Sequence, residues 1–327
     1  MLIVLGAIIV GRRLSFFLAA FFGLAALLLA EDQMRWQPWV YQYSSMLVAL
    51  AFVAWRKPDA ASTSAALNSC RLVIVATYFW SGVQKLNVAF VRQTWPDLTA
   101  GVSRWVPGLA QVPAAFALVI PFVEIAIAAG LAAPRVRKMA VTLAIATHAI
   151  ILTILISSRE NTVVWPWNIA MILMVSILFW GHSDTSLFKQ YRAIGFQATA
   201  LVFGLLPALS FVDAWDSYLS GALYSGNVSQ AVVYLGPDAI RRLPVEIQPH
   251  IWQAKPPYFL DINRWAFGEL NVPVYPEPRV FRRVAEQVCM TIPEDEFGPW
   301  LRILEKPDPF TGARQSEFYD CGHLGSR

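Results

Sequence analysis

The chain has 327 residues, 56% hydrophobic and only 15% charged, with a formal net charge of +4 and a mean hydropathy of +0.47. Soluble domains carry about 25% charged residues, so this composition excludes a disordered chain, a fibrous repeat, a disulfide-rich scaffold and a free nucleic-acid binder. Residues 1–212 hold 15 Lys/Arg against 7 Asp/Glu, whereas residues 213–327 hold 11 against 15. The shift predicts a transmembrane helical domain over 1–212 and a C-terminal extramembrane tail over 213–327.

Taken in chain order, the first apolar run, 2–10, is closed by Gly11, Arg12 and Arg13. It reads as an interfacial segment or as part of an earlier helix. Seven longer runs follow, at roughly 14–30, 39–55, 71–90, 109–133, 139–157, 163–180 and 194–212. A spanning helix needs about 20 mostly apolar residues. The predicted fold class is therefore an all-α polytopic membrane protein of about seven transmembrane helices with a small, mostly irregular or helical tail. With Arg12 and Arg13 inside, the inner segments carry ten Lys/Arg and the outer loops four, namely Arg35, Arg92, Arg104 and Arg159. By the positive-inside rule the N-terminus is cytoplasmic, the tail is outside, and the location is the plasma (inner) membrane.

Within the runs stand Lys85, Glu124, His148 and Asn168. Charged groups there cost roughly 2.5–3.5 kcal/mol on insertion scales and mark functional candidates. Glu124 and His148 each lie nine residues from the inner ends of neighbouring runs, about 14 Å deep at 1.5 Å per residue. A Glu–His pair at one level can share a proton. Lys85 and Asn168 share a second level nearer the outer face, with Arg159 and Glu160 near the mouth. The catalytic set read from this track is Lys85, Glu124 and His148, and the ligand-contacting set is Asn168, Arg159 and Trp165. Plainer roles stay open. Lys85 can snorkel to the interface, Asn168 can serve as interhelical glue, and Trp165, Trp167, Trp95 and Trp105 read as interface anchors. No histidine has metal-ligand spacing, and no metal is expected.

The tail holds 12 of the 21 prolines, which argues against regular elements. Arg279 to Met290 alternates at helical spacing and predicts a short amphipathic helix. Aromatics including Trp215, Trp252 and Phe259 fit either contact with the membrane surface or a small core. Cys289 and Cys321, both in the tail, predict a disulfide if the tail faces an oxidising compartment.

The stretch Tyr78-Phe79-Trp80-Ser81-Gly82-Val83-Gln84-Lys85-Leu86 resembles the "YFxxGxxKL" segment of the vitamin K-dependent gamma-carboxylases. It is also similar to that of the related HTTM (horizontally transferred transmembrane) and DoxX-like membrane proteins. The resemblance continues through Pro121-Phe122-Val123-Glu124, the basic loop Arg135 to Lys138, and His148, and covers roughly 70–180. It implies that Lys85 is the base that deprotonates a vitamin K-type hydroquinone near the outer membrane surface, with His148 as the family's helix histidine. The tail has only 115 residues, far fewer than the carboxylases' lumenal region, so protein carboxylation is not carried over. What is carried over is a membrane domain holding a quinone-like lipid cofactor or another lipid-like molecule. The alternative is a non-catalytic scaffold whose outside tail docks a protein partner. Membrane lipids are partners in both readings and nucleic acid in neither.

Overall fold

The computed structural model describes residues 14–55, 59–108, 112, 114–159, 161–181, 186–252, 255–292 and 299–324. The run 2–10 and the residues Arg12, Arg13, Arg56, Lys57 and Glu160 lie outside them. The chain divides into two compact units. One takes in the chain up to Gln84 with Leu118–Ile151 and Trp167–Leu223; the other takes in Lys85–Ala117, Leu152–Pro166 and the chain from Tyr224 onward.

Among the described residues each of the seven apolar runs overlaps a helical segment, and the run 71–90 is interrupted after Gln84. The α-helices up to residue 199 are α1 (Leu14–Glu31), α2 (Pro38–Trp55), α3 (Ala60–Gln84), α4 (Trp95–Ser103), α5 (Val119–Ala132), α6 (Arg137–Ser158), α7 (Trp165–Val175) and α8 (Ile194–Thr199). Tight or wide turns prolong several of them. By length and composition, four of the described helical segments can cross a membrane: Ala114–Ala132, Pro134–Ser158, Thr162–Trp180 and Ile194–Val212. The sequence pattern predicts seven. Ser15–Glu31 is apolar but shorter. In α3, polar residues such as Ser69, Asn68 and Arg71 dilute the apolar sequence.

Helix α3 is central to the first unit and packs against α2, α5 and α8. Small residues let the helices approach closely. A Cβ on Gly130 of α5 would lie 2.6 Å from the Ala140 Cβ of α6. At the predicted inner end, Arg71 and Arg137 are buried and cap carbonyls. Arg71 Nε donates to Leu178 O (2.8 Å), and Arg137 Nε donates to Leu131 O (2.8 Å) at the end of α5. Cations suit the negative pole of a helix.

The second unit corrects the expectation of an irregular tail. Beyond Tyr224 it holds a five-stranded antiparallel sheet of order β2-β3-β1-β4-β5, with β1 Gln230–Leu235, β2 Ile251–Trp252, β3 Tyr258–Asp261, β4 Trp300–Leu304 and β5 Ser316–Tyr319. The α-helices described beyond Tyr224 are α9 (Pro237–Arg242), α10 (Ile262–Leu270), α11 (Pro278–Thr291) and α12 (Cys321–Leu324). No strand contains a proline. Pro237 and Pro278 instead sit in the first turns of α9 and α11, where proline's missing N–H is harmless. The inner face of the sheet buries Val233, Leu235, Leu260 and Ile303, while α10 and α11 bury Ala266, Phe281 and Val288. Helix α11 is the amphipathic helix predicted over 279–290. A disulfide joins Cys289 on α11 to Cys321 on α12, with Cα atoms 5.6 Å apart.

Candidate functional site

The polar centre of the first unit grows from four helices. Tyr78 on α3 is 4% exposed, His148 on α6 is 7%, and Asn168 on α7 is 4%. The imidazole bridges the other two. His148 Nε2 lies 2.7 Å from Tyr78 Oη, and His148 Nδ1 lies 2.7 Å from Asn168 Oδ1. An amide oxygen can only accept, so Nδ1 carries the hydrogen whenever that contact is made. In the neutral tautomer Nε2 then accepts from the phenol. The chain Tyr78→His148→Asn168 is thus a directional run of hydrogen bonds.

Glu124 of α5 is buried beside it. A Cβ on Gly82 would lie 3.2 Å from the Glu124 Cβ and 2.6 Å from Pro121 O. Gly82 is therefore what lets α3 and α5 meet at this level. Tyr78 is one turn back on α3, within electrostatic range of Glu124. A carboxylate, an imidazole and a phenol are thus gathered among apolar neighbours, where leaving them unpaired would be costly.

A second polar group sits alongside. Gln42 of α2 accepts from Trp167 Nε1 (2.7 Å), and its amide nitrogen meets Met171 Sδ (3.2 Å) and Thr77 Oγ1 (3.4 Å). Gln42, Thr77 and Trp167 line a small cavity of about 30 Å³, together with Trp80 and Tyr218. That volume is enough for a water. A larger cavity of about 760 Å³ lies between α1, α2, α3 and the end of the 162–180 helix. Phe21, Leu28, Met46, Cys70 and Met174 line it, with Arg35 and Tyr43 among its few polar residues.

Of the residues picked from sequence, His148 and Asn168 are in contact and Glu124 belongs to the same unit. Lys85, Arg159 and Trp165 belong to the other unit. There Lys85 is buried at 7% exposure, Arg159 is exposed with φ +56°, and Trp165 is half-buried. Asn161, φ +45° and fully buried, hydrogen-bonds Tyr224, which also has positive φ. Sequence reasoning named Tyr78 only within the motif stretch and gave no role to Tyr78, Gln42 or Thr77, because a hydroxyl or amide in an apolar run is a far weaker signal than a charge. Their positions give a clue in hindsight. Tyr78 and Gly82 are four apart on one face of α3.

Among the described residues, no group of three or more His, Cys, Asp or Glu could hold a metal ion. No family model matches this sequence, and neither a curated protein nor a solved structure matches it.

Proposed function

We propose that this chain is a multi-pass membrane protein that binds a quinone-like lipid in its helical unit. The observation that carries the reading is the buried Tyr78–His148–Asn168 chain beside Glu124, set among helices apolar enough to span a bilayer. Polar clusters at such depth are expensive and mark ligand or proton sites. A quinone head group offers carbonyl acceptors, and its reduced form offers hydroxyl donors. In this reading a proton moves between the Tyr78 hydroxyl and the His148 imidazole, while the Asn168 amide only holds the ring in place. The 760 Å³ cavity falls in the size range of small-molecule sites and suits an apolar tail.

The reading includes seven crossings, a cytoplasmic N-terminus and an outside tail. Two findings support that orientation. The second unit gathers the tail with 85–117 and 152–166, which the charge pattern puts on the outer side. The tail also carries a disulfide, as an oxidising compartment allows.

The test is native mass spectrometry of gently extracted protein. A quinone-type mass should accompany the wild type and be lost from Tyr78→Phe and His148→Ala. Its absence from wild type, or full retention in both variants, sinks the reading.

A scaffold that docks a partner has its own support. Every strand of the sheet contributes an aromatic to the face opposite the core: Trp252, Phe259, Tyr234, Trp300 and Phe318. If that face holds a partner, Trp252→Ser with Trp300→Ser should release it on a native gel.

A further inference from the structure

We propose that the turn Asp308–Gly312 is a lipid-contacting finger, with Phe310 inserted into the surface of the bilayer. The proposal rests on the membrane reading but not on the quinone site.

Phe310 is 85% exposed, more than any other large apolar side chain among the described residues. A single exposed apolar residue is ordinary. What sets this one apart is the rigidity of its mount. Asp308 Oδ1 accepts from Phe310 N (3.0 Å), Thr311 N (2.7 Å) and Thr311 Oγ1 (2.9 Å). The backbone closes the turn twice, through Gly312 N to Asp308 O (2.9 Å) and Asp308 N to Ala313 O (2.8 Å). Gly312 takes φ +74°, a conformation few other residues adopt cheaply. These bonds hold the backbone beneath Phe310 in one conformation.

The location names the occupant. Val88 N donates to Pro309 O (2.9 Å), and a Cβ on Gly312 would lie 3.4 Å from Val88 Cγ1. Val88 is four residues beyond the end of α3. The unit that holds the finger also holds one end of three membrane-length segments, with Phe116, Ile156 and Val163 exposed on them. The bilayer surface therefore passes through this unit. A second tip, Trp105, is 79% exposed at the end of α4 in the same unit, its N–H held by Val102 O (2.9 Å). Aromatic side chains settle at that interface. Asp308 is exposed, with Oδ1 bonded to the turn's own N–H and hydroxyl groups, and no basic side chain lies within 308–312, so insertion is driven by apolar burial and not by attraction to anionic lipid.

The test uses the full chain in phosphatidylcholine nanodiscs, in a Cys70→Ser background where the other two cysteines are bridged. Nitroxide labels go on Phe310→Cys, on Ile177→Cys as the lipid reference and on Val245→Cys as the water reference. Ile177 is 69% exposed on a membrane-length segment and Val245 is 70% exposed in the C-terminal region. The label at 310 should collide with oxygen severalfold more than with a water-soluble nickel chelate, as at 177 and opposite to 245. Anionic lipid or added salt should leave that ratio unchanged. A water-like ratio at 310 with a lipid-like ratio at 177 overturns the finger alone. Protection of 310 from both reagents means that protein covers it and overturns the lipid occupant. A water-like ratio at 177 overturns the membrane reading and the finger together.

Discussion

Pro121 O lies 2.6 Å from the point where Gly82 would carry a Cβ, so α3 and α5 touch through backbone at the level of Glu124. Gly82→Ala should force the helices apart and cost about 1–3 kcal/mol, the usual range for overpacking. Gly23→Ala, with nothing within 4 Å of the new atom, should be near neutral. Thermal unfolding in detergent, followed by size exclusion, compares the two. Equal melting temperatures would mean that the close approach carries no stability.

Tyr78→Phe removes the hydroxyl that meets His148 Nε2 at 2.7 Å in a buried setting. The expected loss is about 1–3 kcal/mol. His148→Leu removes both contacts at once. Because the two residues share one hydrogen bond, the double variant should lose less than the sum of the singles, with a coupling of about 0.5–3 kcal/mol. Additive losses in a double-mutant cycle would show that the 2.7 Å contact contributes nothing.

Arg314 ties three backbone carbonyls of the C-terminal region together: Val228 O and Glu305 O at 2.7 Å each and Gly226 O at 3.1 Å. Burial brings its pKa down to about 10, so it stays charged at neutral pH. Arg314→Lys keeps the charge but not the fork of donors. It should open the 226–228 segment to hydrogen exchange while the helical unit keeps its protection. Unchanged exchange at Val228 would rule that role out.

Val245→Cys should react with a membrane-impermeant thiol reagent in intact cells, or in spheroplasts where an outer membrane blocks access. In the same protein, Cys289 and Cys321 should resist alkylation until reduced. Their 32-residue separation gives the bridge roughly 3–4 kcal/mol in the chain-entropy account. Labelling of 245 only after lysis would reverse the orientation.

Asp308 is held below its usual 3.8 by the Thr311 N–H, then by the Thr311 hydroxyl and the Phe310 N–H. A carboxyl with a depressed folded pKa stabilises the fold above its unfolded value and loses that contribution as pH falls through the folded one. A spin label at 310 should therefore be immobile at neutral pH and gain motion below about pH 4. Asp308→Ala should show the mobile spectrum at every pH. An immobile label in that variant would mean the carboxylate does not hold the turn.

The apolar runs were legible because continuous hydrophobicity marks a helix wherever it packs. The same logic hid the sheet. Strand detection relies on apolar residues alternating with polar ones, but the outer face of this sheet carries Tyr234, Phe259 and Trp300. Those strands therefore read as unpatterned apolar sequence, and the dense prolines between them deepened the impression of irregularity. Depth counting along helices brought His148 into view, yet depth says nothing about rotation about a helix axis. Rotation is what turned His148 toward Tyr78 and Asn168. The bridge between Cys289 and Cys321 was legible from compartment and pairing, since only one other cysteine competes.

Cys70 lies in the wall of the 760 Å³ cavity and is the only free cysteine among the described residues. If the proposed lipid fills that cavity, Cys70 gauges its occupancy. A small lipophilic alkylating agent has to enter that space to reach the thiol, so an occupant must first leave. Delipidated protein should modify faster at Cys70 than gently extracted protein. Titrating candidate lipids back in would rank them by how well each restores the delay, whatever chemistry the bound molecule undergoes.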